Sequence, residues 1–421
     1  MTVVIDEFVD YLINKEATIS NAVTRKAEEC LEDYLSVTEA GAAKNKKKWS
    51  SLIGILPEGK AKIFGCNNTT DGRMASLING FNAHSLELDD GQRFAMIHLG
   101  ASVISAIMAS NDEIGFSKEC KLKGIIMGYE AACRIAICMQ PSHKKRGYHT
   151  AGTCGTIGSA VGVAVAMGMN REQLTRVITA ALASSAGMLE IQEQSSEMKP
   201  YNLGRAAMDG LVSAYMGLSD FDVPNDMLGG ERGFFKLFAD SYDKDKLLSD
   251  KEYFEIERIY VKPYASCRHS HSAVEAAIKL RDTIDVNQIE RVVVKTYSLG
   301  VKGHDHKLIN GVASAKLSTP YAVAAALLYG RADLSLYEPL NNESIKLAQK
   351  IDVVEDEELT AECPAKRVAI VTVILNDGTE VSERTDYAKG EPENPMTKEE
   401  REQKKQLLVE YALRANKENE V

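Results

Sequence analysis

The chain has 421 residues, with 50 Lys and Arg against 60 Asp and Glu for a net charge of −10; 44% of residues are hydrophobic and 26% charged. That balance excludes a disordered, collagen-like or coiled-coil chain. The acidic excess argues against non-specific nucleic-acid binding, which depends on neutralising phosphates, yet it leaves room for a local cationic pocket around a small anion.

The opening MTVVIDEFVDYLINKE carries acids where an export signal requires basic residues. The longest nearly apolar stretch, 157–169, is too short and too glycine-rich to span a bilayer. A cytoplasmic protein with no membrane partner is expected. The eight cysteines form no C-x-x-C pair and read as reduced core thiols. Cys133, Cys138 and Cys154 lack the spacing of cluster ligands.

Through residue 240 the apolar spacing predicts helix after helix: 20–36, 74–88, 101–110, 120–138, 156–168, 172–188 and 203–217. Residues 240–255 are a charged stretch and a candidate boundary. Beyond it strands are expected at 257–261, 290–297, 368–375 and 380–384, the last two joined by the hairpin turn Asn376-Asp377-Gly378. Helices are expected between them at 272–284, 317–330 and 341–351. Thr397-Lys-Glu-Glu400 reads as a capping box opening a last helix to about residue 415. The predicted architecture is mainly α with an α+β second domain. A large all-helical domain comprises 1–253 and 397–421, and a smaller α+β lid comprises 254–396.

Four groups along this chain carry chemistry. In NGFNAHSLELDDG, His84, Glu87 and Asp90 fall at i, i+3 and i+6, one face if the helix continues, and His98 follows a short loop. A carboxylate beside an imidazole can set its tautomer for proton transfer. In GYHTAGTCG, His149 precedes a small-residue helix, whose N-terminus lowers the affinity of an imidazole for a proton. In EMKPYN, Lys199 precedes a helix read as capped by Asn202, where a carboxylate can meet an ammonium and free backbone N–H groups. In KPYASCRHSHSAVE, Lys262, Tyr264, Cys267, Arg268, His269 and His271 converge between a strand and a helix, with Ser272 and Glu275 spaced as a capping box. The H-x-H pair could suggest a metal hydrolase, but the helical first half offers no barrel to supply further ligands, and no metal is expected.

Taken in order, these groups resemble the MmgE/PrpD family, which includes 2-methylcitrate dehydratase, cis-aconitate decarboxylase and iminodisuccinate epimerase. The matching segments also include the GYE at 128–130 with Arg134, STPYAVAAALL, and YAKGEPENPMT. The resemblance implies a cofactor-independent enzyme, a homodimer, and a site in the cleft between the domains. It carries the helix-end acid to Glu87 or the Asp89/Asp90 pair, and the catalytic histidines to His98 and His149. The carboxylate-binding lysines fall on Lys199 and Lys262, and the S-x-P-Y tyrosine on Tyr321. The chain departs from the family's tricarboxylate members at Glu87, at Gly91 and at His98-Leu99, where Asp, Thr and His-Pro are often found. It also has Cys267 where the decarboxylase has a histidine.

The expected activity is that of a lyase on a small di- or tricarboxylate, such as a 2-hydroxy acid dehydratase, through proton abstraction next to a carboxylate. Lys199, Lys262 and Arg268, with Tyr321, would stabilise the developing charge, with Asp89, Cys267 and His269 lining the pocket. His98 and His149 would move the proton. The alternatives are an epimerase or racemase of an amino-dicarboxylate such as iminodisuccinate, a decarboxylase of a cis-aconitate-like acid, and a catalytically silent binding protein.

Overall fold

The structure is a computed structural model and describes residues 3–420. The N-terminal part is helical. Its centre is the Thr150–Ala166 helix, in which only Val165 is less than fully buried. A helix that is apolar all round must be enclosed by others, and Gly100–Ile114, Lys118–Met139 and Tyr201–Met216 enclose this one. The approach is close between Gly128 and Gly158. A Cβ on either would lie 2.6 Å from the other's carbonyl oxygen, so neither position tolerates a side chain without movement.

The C-terminal part is an α+β lobe. Its four strands lie in the order Ile351–Glu355, Ile289–Thr296, Ala369–Leu375 and Glu380–Thr385. The first pair is parallel and the others antiparallel, with Val292 opposite both Ile351 and Val373. Alternate residues Val292, Val294, Val371 and Val373 are buried, as expected of a sheet with one covered face. The His271–Arg281 and Thr319–Tyr329 helices cover that face. The hairpin at 376–378 and the Thr397–Glu400 capping box form as expected; Glu400 N–H donates to Thr397 Oγ1 (3.2 Å) and Thr397 N–H to Glu400 Oε2 (2.7 Å). The final helix, Lys398–Glu420, runs along Asn21–Ile53, and its Leu408 and Tyr411 join the core cluster of the α+β lobe.

The strand expected over 257–261 is reduced to Tyr260–Val261 behind a 3-10 turn at Glu255–Arg258, and other local expectations fail. The helix expected over 74–88 is Gly72–His84; Glu87 has φ +56°, so Glu87 and Asp90 do not share a helical face with His84. A bulky residue in the left-handed region is uncommon and is held there only by its surroundings. Ser272 and Glu275 make no capping box either. The helix starts at His271, Ser272 Oγ donates to Arg367 O, and Glu275 accepts from Tyr264 Oη (2.5 Å).

The two parts are stitched together beside residue 90. Asp90–Gly91 pairs antiparallel with Tyr260–Val261, so Lys262 leaves the α+β lobe directly against the loop that carries Glu87 and Asp89. From the other side, buried Lys404 donates to Leu88 O (2.8 Å) and to Asp33 Oδ1. The charged stretch 240–255 is pinned by the 128–134 motif: Arg134 donates to Ser249 O (2.9 Å), and Glu130 accepts from Arg134 (2.7 Å) and from Glu255 N–H (2.7 Å).

Candidate active site

Glu87 is the hub. Lys199 donates to its Oε1, and Lys262 lies 2.8 Å from its Oε2. One lysine precedes the Tyr201–Met216 helix, and the other follows the Tyr260–Val261 strand. Burial alone would raise the Glu87 carboxyl. The ammonium groups of Lys199 and Lys262, then His84 and His98, outweigh burial and hold it well below the usual range. The same pairing works in reverse on Lys262: burial favours the neutral amine, but Glu87 and Asp89 keep it firmly protonated.

Asp89 binds the imidazoles. Its Oδ2 accepts from His84 Nδ1 (2.8 Å) and lies 3.4 Å from His98 Nδ1, while its Oδ1 is 3.7 Å from Lys262. His98 Nδ1 is 2.7 Å from Asp90 O, so the Nδ1 proton is donated to that carbonyl and Nε2 keeps its lone pair. Burial pushes His98 down to about 3, against the opposing pull of Asp89. It is a neutral imidazole at ordinary pH.

His149 stands at the N-cap of the Thr150–Ala166 helix. Asn202 Nδ2 donates to its Nδ1 (2.9 Å) and to Met188 O (3.2 Å), which leaves the His149 proton on Nε2. Asn202 was expected to cap its helix. Pro200 takes the cap position instead, and the amide reaches across to the imidazole. This bond ties His149 to the first turn of the helix that Lys199 precedes. Burial first, and then the charge of Lys199, keep His149 far below the usual histidine range.

A cavity of about 400 Å³ reaches this cluster at His84, Glu87 and Lys199, while His98, His149 and Lys262 are not among its lining residues. Glu87, His84 and Lys199 form its inner end, Trp49 and Phe81 one wall, and Lys316 and Leu317 the α+β wall. Lys44 and Lys48 also line it, so four lysines face two glutamates, Glu87 and Glu197.

The remaining predicted residues divide. Cys267 belongs to the site's edge: its N–H donates to Lys316 O (2.7 Å), its Sγ is 3.8 Å from His304 Nε2, and the charges of Lys199 and Glu87 reach it. His269 lies beside it, with its ring 5.1 Å from that of His304 and Nδ1 2.7 Å from Tyr297 Oη. Asp90, Arg268 and Tyr321 are not brought to the lysines. Asp90 Oδ1 accepts from Gly100 N–H (2.9 Å) at the start of a helix, and Oδ2 accepts from Tyr129 Oη (2.6 Å); burial pushes its carboxyl up to about 6. Arg268 is ion-paired with Glu391 (2.6 Å) and donates to His271 Nδ1 (2.7 Å). Tyr321 donates to Leu336 O (2.5 Å) and accepts from Asn341 N–H (2.8 Å), inside the α+β core. Asn202, His304 and Lys316 belong to the site's surroundings without having been assigned to it from sequence, whereas His84, grouped with Glu87 there, stays beside it, 3.4 Å from Glu87 Oε1.

Two donor sets have spacings that a cation could use: His84, Asp89 and His98, and Cys267, His269 and His304, each with ligand atoms within 4.8 Å of one another. Both face fixed positive charge. Lys262 stands beside Asp89, while Lys144, Lys199 and Arg367 act on His269. That surrounding favours an anion over a dication, so neither set is read as a metal site.

Residues 6–246 match the MmgE/PrpD N-terminal domain, and residues 264–421 the MmgE/PrpD C-terminal domain. The chain belongs to the MmgE/PrpD family. Among its relatives, the cis-aconitate decarboxylase-like protein oryM of Aspergillus oryzae is 22% identical over an alignment of 437 residues, covering 95% of this chain and 89% of the relative. The cis-aconitate decarboxylase of Homo sapiens is 20% identical, over 78% of this chain and 71% of its own. That of Mus musculus is 21% identical, over 77% and 69%. Among the described residues of this MmgE/PrpD chain, no helix is long and apolar enough to cross a membrane.

Proposed function

We propose that this protein is a cofactor-independent lyase acting on a small di- or tricarboxylic acid, with dehydration of a 2-hydroxy polyacid as the main reading. One observation carries it: a carboxylate, that of Glu87, already sits between two ammonium groups with imidazoles beside it. A substrate carboxylate entering from the cavity would take over part of this cationic seat. Fixed ammonium groups in a water-poor pocket stabilise the charge that develops on carboxylate oxygens when the neighbouring carbon loses a proton.

The hydrogen bonds on the two imidazoles give them different roles. His98, with an unprotonated Nε2, is the base. It takes the proton from carbon, and Asp89 stabilises the resulting imidazolium. The C–H pair forms the double bond as the hydroxyl departs with a proton to become water. His149, protonated on Nε2 by virtue of Asn202, donates a hydrogen bond to the developing charge rather than a whole proton.

Decarboxylation of a cis-aconitate-like acid is the second reading, favoured by the relatives, which are cis-aconitate decarboxylases or decarboxylase-like. There the C–C pair stays on carbon as carbon dioxide leaves, and a proton replaces it. Incubation with citrate-like, malate-like and aspartate-like acids tests both readings. A rise in ultraviolet absorbance from a new conjugated double bond supports dehydration, and released carbon dioxide supports decarboxylation. Isomerisation of the aspartate-like acids alone would replace both with an epimerase. The same proposal takes the protein to be a homodimer in the cytoplasm, and light scattering in solution tests the dimer.

A further inference from the structure

Neutral His149 is a poor source of a whole proton, because giving one up would leave an imidazolate. The site therefore needs an acid, and the α+β wall carries a candidate. Cys267 and His304 are both anchored to adjacent carbonyls of the segment that lines the cavity: Cys267 N–H donates to Lys316 O (2.7 Å), and His304 Nδ1–H donates to Leu317 O (2.8 Å). With Nδ1 committed to a carbonyl, His304 points Nε2 at the thiol sulfur, 3.8 Å away. Both side chains are only half-buried. They share one proton between S and Nε2, each one hydrogen bond away from the Lys316–Leu317 segment of a cavity that Lys199 and Glu87 also line.

We propose that Cys267, backed by His304, is the general acid of the site, delivering a proton from the α+β wall while His98 works from the helical wall. The inference rests on the carboxylate reading above. In dehydration the S–H bond breaks and an O–H bond forms on the departing hydroxyl, which leaves with the C–O pair as water. The pair, left as thiolate and neutral imidazole, regains its one proton through solvent from the imidazolium of His98. In decarboxylation the same S–H proton goes to the carbon that has lost carbon dioxide. His304 is a positioning residue: it touches the thiol and not the substrate.

The electrostatics agree with the geometry. Burial would raise the Cys267 thiol, but His304, then Lys199, outweigh it and bring it to about 6, with Glu87 opposing. His304 is raised in return by Cys267, against burial and Lys144. The other titratable groups around the pair are His269 and Tyr297, with Lys262 and Arg367 beyond them. A group that titrates close to the working pH is suited to give up and regain a proton in each turnover.

The test uses the full chain and neutral iodoacetamide, with Cys267 alkylation read by peptide mass spectrometry across pH. Cys363, raised by burial, serves as the control in the same digest. The Cys267 rate should be half-maximal near about 6, and His304→Gln should move the midpoint towards the ordinary thiol value of about 8.5. On the acid that turns over, Cys267→Ala should lower kcat by about 10²–10⁴-fold with little change in KM. Cys267→Ser, which keeps the size, should be nearly as slow, and circular dichroism checks that both variants fold. An ordinary midpoint in the wild type, an unchanged kcat in the folded variants, or stoichiometric zinc on the cysteine overturns this inference alone. Absence of turnover on every acid by the wild type overturns the carboxylate reading on which it rests.

Discussion

Glu87 and Lys262 form a buried ion pair between the two parts of the molecule, Oε2 to Nζ 2.8 Å, with Lys262 fully shielded from solvent. A buried ammonium is tolerated only with its counter-charge in place. The resting site thus carries an internal carboxylate where an acid substrate would bind.

Removing that carboxylate should expose its role. Glu87→Gln leaves Lys262 with only Asp89, 3.7 Å away, and breaking such a pair costs about 3–5 kcal/mol. The variant should melt at lower temperature than the wild type. Adding a small polycarboxylate should raise its Tm by more than it raises that of the wild type, because the ligand replaces the missing charge. Differential scanning calorimetry with and without the acid reads both effects.

Asn202 should matter through His149. Without the amide, Nδ1 of His149 is free to take the proton, and the donor at Nε2 is lost in part of the population. A hydrogen bond worth about 1 kcal/mol corresponds to a factor of about five to ten in rate. Asn202→Ala should lower kcat by about tenfold at an almost unchanged KM. A variant with wild-type kcat would remove the amide from the proton path.

Stability should fall on mild acidification. The folded His98, His149 and His271 are held neutral, chiefly by burial, whereas in the unfolded chain histidine binds a proton near about 6.5. Their contribution is complete above that value and is lost as the pH falls from it towards the folded values. Glu87 and Asp89, lowered by the lysines and imidazoles against burial, add a loss in the same direction below about 4. Asp90 and His304 are raised and work the other way. With His143 and His269 lowered as well, five histidines are set against His304 and the raised carboxyls Asp33, Asp90, Asp209 and Glu255, and Tm should drop between about pH 7.5 and about pH 5, an interval that brackets the histidine value. Melting curves across that interval check the sign.

The glycine contact in the helical core is a test of packing alone. A methyl at Gly158 would meet Gly128 O at 2.6 Å and Ala132 Cβ at 2.7 Å. Gly158→Ala should cost about 1–3 kcal/mol, seen as an earlier chemical denaturation midpoint.

The sequence was most informative where a signal is local. His149 before a small-residue helix, Lys199 before the next helix, the Asn376-Asp377-Gly378 hairpin and the Thr397–Glu400 box all form where spacing placed them. It misled where a local pattern competed with a long-range one. The 3.6-residue spacing runs on through Glu87, but its contacts with Lys199 and Lys262 hold that residue in a left-handed turn after the helix has ended. Asn202 has the chemistry of a cap, yet its partner is an imidazole 53 residues away. Arg268 and Tyr321 are polar residues whose partners, Glu391 and Leu336 O, lie far from the lysines. The Cys267–His304 contact spans 37 residues, and no spacing rule announces it.

The central claim is that Lys199 and Lys262 hold a carboxylate while His98 moves a proton at the neighbouring carbon. Its most direct test is turnover of unsaturated and 2-hydroxy polycarboxylic acids in deuterium oxide, with deuterium in the product read by mass spectrometry. From an unsaturated acid the wild type should place one deuterium on the carbon next to a carboxylate, and from a 2-hydroxy acid it should release that carbon's hydrogen to the solvent; folded Lys199→Met and His98→Asn variants should lose both. Turnover of none of the acids, or labelled product formed at the wild-type rate by both variants, would contradict the account.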